Sequence, residues 1–276
     1  MAYLTLRDGI KIYFEDCGTG EPILFIHGLN SSSEKIKKFI SKFKKDYRCV
    51  YYDQRGHGLS DRANIHMNIE NLGRDLNEII EKLNLENVTV IGHSMGAAAI
   101  FNYVNQFGCG KLKNIVVVDM SPCTSNKDWK GGIAQGTGTD ENILEIMDRI
   151  FDDISAANWY ITKNLLNPKL KDTPAKIEAE MINFFSEGCD TLTTASLWFS
   201  NFRIDQRPAI DKITVPFLYI MPELPLYSME AVNFYREHVK NKFYLEKDFP
   251  NTTHLILLER PREVAEKIKA FLQSQK

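Results

Sequence analysis

Gly92-His93-Ser94-Met95-Gly96 lies between an apolar, β-branched run (residues 88–91) and an alanine-rich stretch that starts at Ala97. No other feature limits the fold of this chain as tightly. A serine with glycines two residues away on each side is common by chance and usually marks only a turn. Between a strand and a helix it predicts a nucleophile elbow, a sharp turn that projects the serine hydroxyl. The glycines have a steric reason, because the helix passes so close to the strand that a Cβ at either position would collide. A helix beginning at Met95 also aims its N-terminal N–H groups and positive dipole end at negative charge developing near Ser94.

The flanking text predicts the rest of a layered α/β sheet. Residues 3–6 and 10–14 read as a hairpin about Arg7-Asp8-Gly9. Residues 22–26, 49–52, 115–119 and 215–221 are apolar strands of the buried, parallel kind, and residues 242–246 form a last strand. Between them fall a helix with an Ile36/Phe39/Ile40/Phe43 face, an amphipathic helix over 68–83, a helix over 229–238 and a closing helix over 262–272. From Ser121 to about Pro208 the rhythm changes to helix and loop signals with dense aromatics, which reads as a helical insertion over the sheet. The expected organisation is an α/β core of residues 1–120 and 209–276, with residues 121–208 as a cap. Alternating strands and helices of this kind give an open, mostly parallel sheet covered on both faces.

Composition excludes several function classes. With a net charge of −2, nothing favours nucleic acid or an anionic membrane as partner. The 5 cysteines, at 17, 49, 109, 123 and 189, are too scattered for a zinc cluster and too odd in number for a disulfide framework. No signal peptide and no apolar run of membrane-spanning length is apparent, so a cytoplasmic protein in a reducing compartment is expected. Oligomeric state is not legible.

Five features stand in the order of a known family: His27-Gly28 after the third strand, Asp53-Gln54-Arg55-Gly56-His57-Gly58-Leu59-Ser60 after the fourth, the Ser94 elbow, a cap after the sixth, and His254 before Leu258-Glu259-Arg260-Pro261. Over nearly its full length the chain resembles an α/β-hydrolase with a helical cap. The resemblance implies an eight-stranded, mostly parallel sheet and acyl-transfer hydrolysis without metal or cofactor, with Ser94 as nucleophile.

A serine hydroxyl needs a base within hydrogen-bond reach. Of 6 histidines, His254 is the candidate, placed in a loop at the carboxyl edge of the sheet, where ligands bind in open α/β folds. His93 is expected to pack beside the nucleophile, His27 to brace the oxyanion loop, His57 to brace the loop after the fourth strand, and His66 and His238 to lie on the surface. The oxyanion hole is expected from the backbone N–H groups of Leu29 and Met95. The acid is less plain. Relatives place an aspartate after the seventh strand, but this chain has Pro222 and Pro225 where its Gly-x-x-Asp should stand. Asp119, ending the sixth strand, is the preferred acid, with Glu223 as the alternative. Asp53 and Arg55 are expected to hold their own loop, and Trp129, Trp159 and Trp198 are candidate pocket residues.

The expected activity is hydrolysis of a carboxylic ester or thioester of a small, largely apolar acyl group. Rival readings are perhydrolysis, C–C hydrolysis or acyl transfer on the same residues, or a receptor of this fold that turns over negligibly.

Overall fold

The computed structural model describes residues 2–63, 65–125, 127–187 and 190–275, so Cys189 lies outside the described residues. Eight strands form one sheet in the order β1-β2-β4-β3-β5-β6-β7-β8, with β1 Ala2–Thr5, β2 Lys11–Cys17, β3 Pro22–Ile26, β4 Arg48–Tyr52, β5 Val88–His93, β6 Leu112–Val118, β7 Phe217–Ile220 and β8 Phe243–Glu246. The β1–β2 and β2–β4 pairings are antiparallel, and every other pairing is parallel.

Alternation along the strands explains why the parallel part must be covered twice. Leu24, Val117 and Tyr219 belong to one apolar core with the helices Ile69–Lys82 and Met95–Phe107. Their neighbours Phe25, Val116 and Leu218 point into a second core with Ile36, Phe39 and the C-terminal helix Pro261–Ser274. Successive side chains face opposite ways on a strand, so an unbroken apolar run serves both faces.

Local chemistry sets the helix boundaries. The Asn68 side chain accepts the Asn71 N–H at the start of Ile69–Lys82, which satisfies one orphan amide of the first turn. The helix expected around Phe39 is a single turn, Lys37–Ile40, within a chain of turns. Ile36 at its start has no side chain to cap it, yet all four expected apolar residues are buried. Packing holds this segment.

Between β6 and β7 the described residues form helices, chiefly Asp140–Asp152, Ile154–Ile161, Ala175–Ser186 and Thr191–Arg203. Its β-pairing among those residues is limited to single bridges, Cys123 to Asp205 and Ile133 to Tyr227. Among the described residues no helix is long and apolar enough to cross a membrane. The described cysteines are free thiols.

The loop after β4 is anchored by a buried ion pair. Arg55 reaches the Asp75 carboxylate with Nε and Nη2, each at 2.5 Å, and Nη2 lies 3.0 Å from Asp8. Removing one partner of such a pair strands a charge away from water and costs more than the pair itself contributes. Asp75→Asn is therefore expected to lower the urea-unfolding free energy by about 3 kcal/mol, while Glu266→Gln, at the exposed Arg262 pair, leaves the midpoint unchanged. Equal effects from the two substitutions would refute the anchoring role.

Candidate active site

β5 delivers Ser94 to the carboxyl edge of the sheet. Ser94 has φ 53° and ψ −127°, a region that costs a non-glycine residue on the order of 1–3 kcal/mol and persists only where the surroundings enforce it. The enforcement is visible: Ser94 N–H donates to Val118 O at 3.1 Å, and Ser94 O accepts from Ala97 N–H at 2.8 Å. The turn also needs its glycines. A Cβ on Gly92 would lie 2.6 Å from Ala97 N, and one on Gly96 would overlap the Ile26 carbonyl.

His254 comes from the loop after β8 and is fully buried. Its Nδ1 lies 2.8 Å from Asp119 Oδ2. A carboxylate can only accept, so Nδ1 carries the proton and Nε2 is left as an acceptor. Asp119 sits just beyond β6 with φ 43°, and its Oδ2 also accepts the Leu226 N–H at 2.9 Å. The loop after β7 thus gives Asp119 an amide donor in place of an acid.

Glu223 is elsewhere. Its carboxylate accepts the Asn251 N–H, and its own N–H donates to Thr252 Oγ1 at 3.2 Å. These bonds tie the loop after β7 to the histidine loop. Glu259 holds that loop from the other side through the Thr253 N–H at 2.7 Å. Of the two candidate acids, Asp119 meets the imidazole and Glu223 is a tether.

Three of the remaining histidines are braces, while His66 is exposed and His238 pairs with Asp211. His93 Nε2 donates to the His254 carbonyl at 2.8 Å. His27 Nε2 accepts the Gln54 N–H at 3.0 Å, and His57 Nε2 accepts the Asn30 N–H at 3.2 Å. So His27, in the loop after β3, ties down the loop after β4, and His57 does the reverse. Each ring also donates from Nδ1 within its own loop, His27 to Gly28 O at 2.7 Å and His57 to Arg55 O at 3.0 Å, so each braces both loops. Asp53 adds a bond from Oδ1 to the Ser33 N–H at 2.7 Å.

The His27-Gly28-Leu29-Asn30 loop lies against Ser94: a Cβ on Gly28 would be 3.2 Å from Ser94 Cβ. Neither the Leu29 nor the Met95 amide has a protein acceptor among the described residues. Leu29, Met95, Ser94 and His254 line one cavity of about 1050 Å³, mouth included. Trp198 lines it as well. Trp129 and Trp159 do not: the Trp129 indole donates to Ser121 Oγ at 3.2 Å beneath the Arg207 guanidinium, and the Trp159 indole donates to Glu178. Both indoles are engaged away from the cavity. Sequence reasoning did not reach Leu226, because a backbone amide carries no residue signature, nor Asn30, Asn158 and Thr194, joined by side-chain bonds of 2.5 and 2.8 Å.

Comparison with known proteins agrees with this architecture. Residues 21–140 match the family model described as alpha/beta hydrolase fold. A protein of Synechocystis sp. that carries the name of a non-heme chloroperoxidase is 30% identical over 234 residues, covering 80% of this chain and 82% of its own. Non-heme chloroperoxidase CPO-A1 of Kitasatospora aureofaciens is 31% identical over 156 residues, so the match spans 55% of this chain and about half, 52%, of that protein. Among solved structures, the esterase EaEST from Exiguobacterium antarcticum superposes with a TM-score of 0.85 at 21% identity, covering 98% of each chain. The chain belongs to the α/β-hydrolase family.

Burial pushes the His27 imidazole down to about 4, and those of His57 and His93 down to about 3. The unfolded chain protonates them near the ordinary value of ~6.5. Below that pH the unfolded state binds more protons, so stability falls as pH drops toward the native values. Each such histidine contributes a slope of ~1.4 kcal/mol per pH unit. Urea unfolding followed between pH ~6.5 and ~4.5 should therefore show a loss of several kcal/mol. His57→Gln, whose amide oxygen can still accept from Asn30, should make that slope shallower by about one proton. Identical slopes for the two proteins would contradict a neutral, buried His57.

Proposed function

We infer that this chain is a serine hydrolase that cleaves a carboxylic ester or thioester of a small, largely apolar acyl group. The observation that carries the reading is the buried 2.8 Å contact between His254 Nδ1 and Asp119 Oδ2, in a cavity that Ser94 also lines. An imidazole held in this tautomer presents Nε2 as a base.

In the proposed reaction His254 Nε2 removes the Ser94 proton as Oγ attacks the carbonyl carbon. The Leu29 and Met95 amides stabilise the oxyanion of the tetrahedral intermediate. Imidazolium, steadied by Asp119, returns the proton to the departing alcohol or thiol and leaves an acyl-enzyme. Water, deprotonated by His254, then releases the acid and restores Ser94. Residues 121–208 serve as a lid over the cavity. The cytoplasm, which keeps thiols reduced, suits the free cysteines.

A second reading rests on the names of the chloroperoxidase relatives. Hydrogen peroxide in place of water at the acyl-enzyme would give a peracid, with Ser94 restored in the same way. Peracid formation from a short carboxylic acid and peroxide, read by bromide oxidation, separates the two outcomes.

Hydrolysis of p-nitrophenyl acetate and butyrate, and fluorophosphonate labelling, should both be lost in Ser94→Ala. Asp119→Asn should lower kcat by ~10⁴, with Glu223→Gln retaining most activity at equal folded fraction. The opposite ranking would transfer the acid's role to the loop after β7. Wild type no faster than Ser94→Ala, with no labelling, would favour a binding protein.

A further inference from the structure

The wall of the cavity is largely aliphatic and aromatic, but three of its residues carry polar atoms that the protein does not satisfy. Trp198 Nε1, Asn158 Nδ2 and Asn201 Oδ1 are buried and have no hydrogen-bond partner among the described residues, and all three residues line the cavity that holds Ser94. Trp198 is 8% and Asn158 4% exposed. Nine in ten or more buried polar groups find a partner, and one left without costs on the order of 1–3 kcal/mol. Three around one cavity point to a ligand that supplies what the protein withholds.

Their placement is ordered. Trp198 and Asn201 are three residues apart on the helix Thr191–Arg203, and that spacing puts them on one face. Asn158, on the helix Ile154–Ile161, has its amide oriented by neighbours. Its Oδ1 accepts from Asn30 Nδ2 at 2.5 Å, while Asn30 Oδ1 accepts from Thr194 Oγ1 at 2.8 Å. The Asn158 NH₂ is thereby left as a donor, alongside the indole N–H, which can only donate. Asn201 adds an acceptor.

Resting on the hydrolase reading, we propose that the acyl part of the substrate carries its own oxygen, as an oxoacyl or hydroxyacyl group, received by Trp198 and Asn158. A ketone or hydroxyl oxygen accepts from these donors, and a hydroxyl could also donate to Asn201. A plain hydrocarbon acyl group fills the same space and leaves all three atoms unpaired, which is the situation in which a polar site discriminates most strongly. Trp198 also borders a second cavity lined by Asn142 and Tyr160, so the depth of the oxygen along the chain must be scanned.

The test compares phenyl hexanoate with phenyl oxohexanoates carrying the ketone at successive positions of the acyl chain. One oxo ester is expected to exceed the hydrocarbon ester by ~10-fold or more in kcat/KM. That ratio should collapse toward one in Trp198→Phe, which keeps the aromatic ring and loses the N–H, and in Asn158→Leu. Calorimetric titration of Ser94→Ala with the same esters reads the preference without turnover, as a tighter Kd for the oxo ester. Equal Kd and equal kcat/KM across the series overturn the proposal, as does a ratio unchanged in both variants. Absence of turnover in wild type with the Kd preference intact overturns the hydrolase reading and leaves the oxygen site standing.

Discussion

The buried bond between His254 and Asp119 is the constraint around which the rest of the site is arranged. A carboxylate this deep in a protein is stable only if its charge is met, and an imidazole can act as a base only if its tautomer is fixed. The contact of 2.8 Å fixes the tautomer, and with the Leu226 N–H it gives Asp119 Oδ2 two donors. It joins the end of β6 to the loop after β8, and the Leu226 amide brings in the loop after β7. Three carboxyl-edge segments of the sheet therefore converge on one oxygen atom, and Ser94 stands at the end of the neighbouring strand β5.

Opposite this convergence, the two loops that precede the elbow are fixed by reciprocal exchange. His27 and His57 each accept an amide from the other's loop, and both must be neutral to do so. Burial supplies that neutrality by making the charged form expensive. Acid lability of the fold is the other side of this arrangement. The same withdrawal from water that keeps His57 an acceptor for Asn30 helps hold the loop of Gly28 and Leu29 against Ser94.

How much of this was legible in the chain depends on whether a feature has a residue-type signature. The elbow, the eight strands and the histidine loop were legible because β-branched runs, paired glycines and their order in the chain carry them. Asp119 was legible only by the emptiness of the usual position, where Pro222 and Pro225 stand, and that it meets His254 while Glu223 bonds Asn251 is a matter of three dimensions. The length of the Lys37–Ile40 helix was not readable, since its apolar spacing fits a longer helix and only tertiary packing ends it. Aromatic residues in the insertion misled for a related reason. Trp129, Trp159 and Trp198 look alike in sequence, and an indole near a pocket differs from one packed behind it only in its neighbours. Polar partners for the first two, Ser121 and Glu178, come from within the insertion, 8 and 19 residues away along the chain.

That difference between the indoles bears on what the cavity selects. Where a tryptophan serves only to fill space, its N–H is given a partner, as at Trp129 and Trp159. At Trp198 the N–H is withheld, and so is the outer amide hydrogen pair of Asn158, whose other end is held against Asn30 in the loop beside Ser94. Of Trp198, Asn158 and Asn201, Asn158 is the one hydrogen-bonded to the loop that carries the proposed oxyanion hole, through the Asn30 side chain. On that proposal, a ligand that engages Asn158 would also steady Asn30, and with it the backbone turn that carries Leu29. Recognition of an oxygen in the acyl chain and stabilisation of the oxyanion would then reinforce each other, because binding energy at the first site orders the donor at the second.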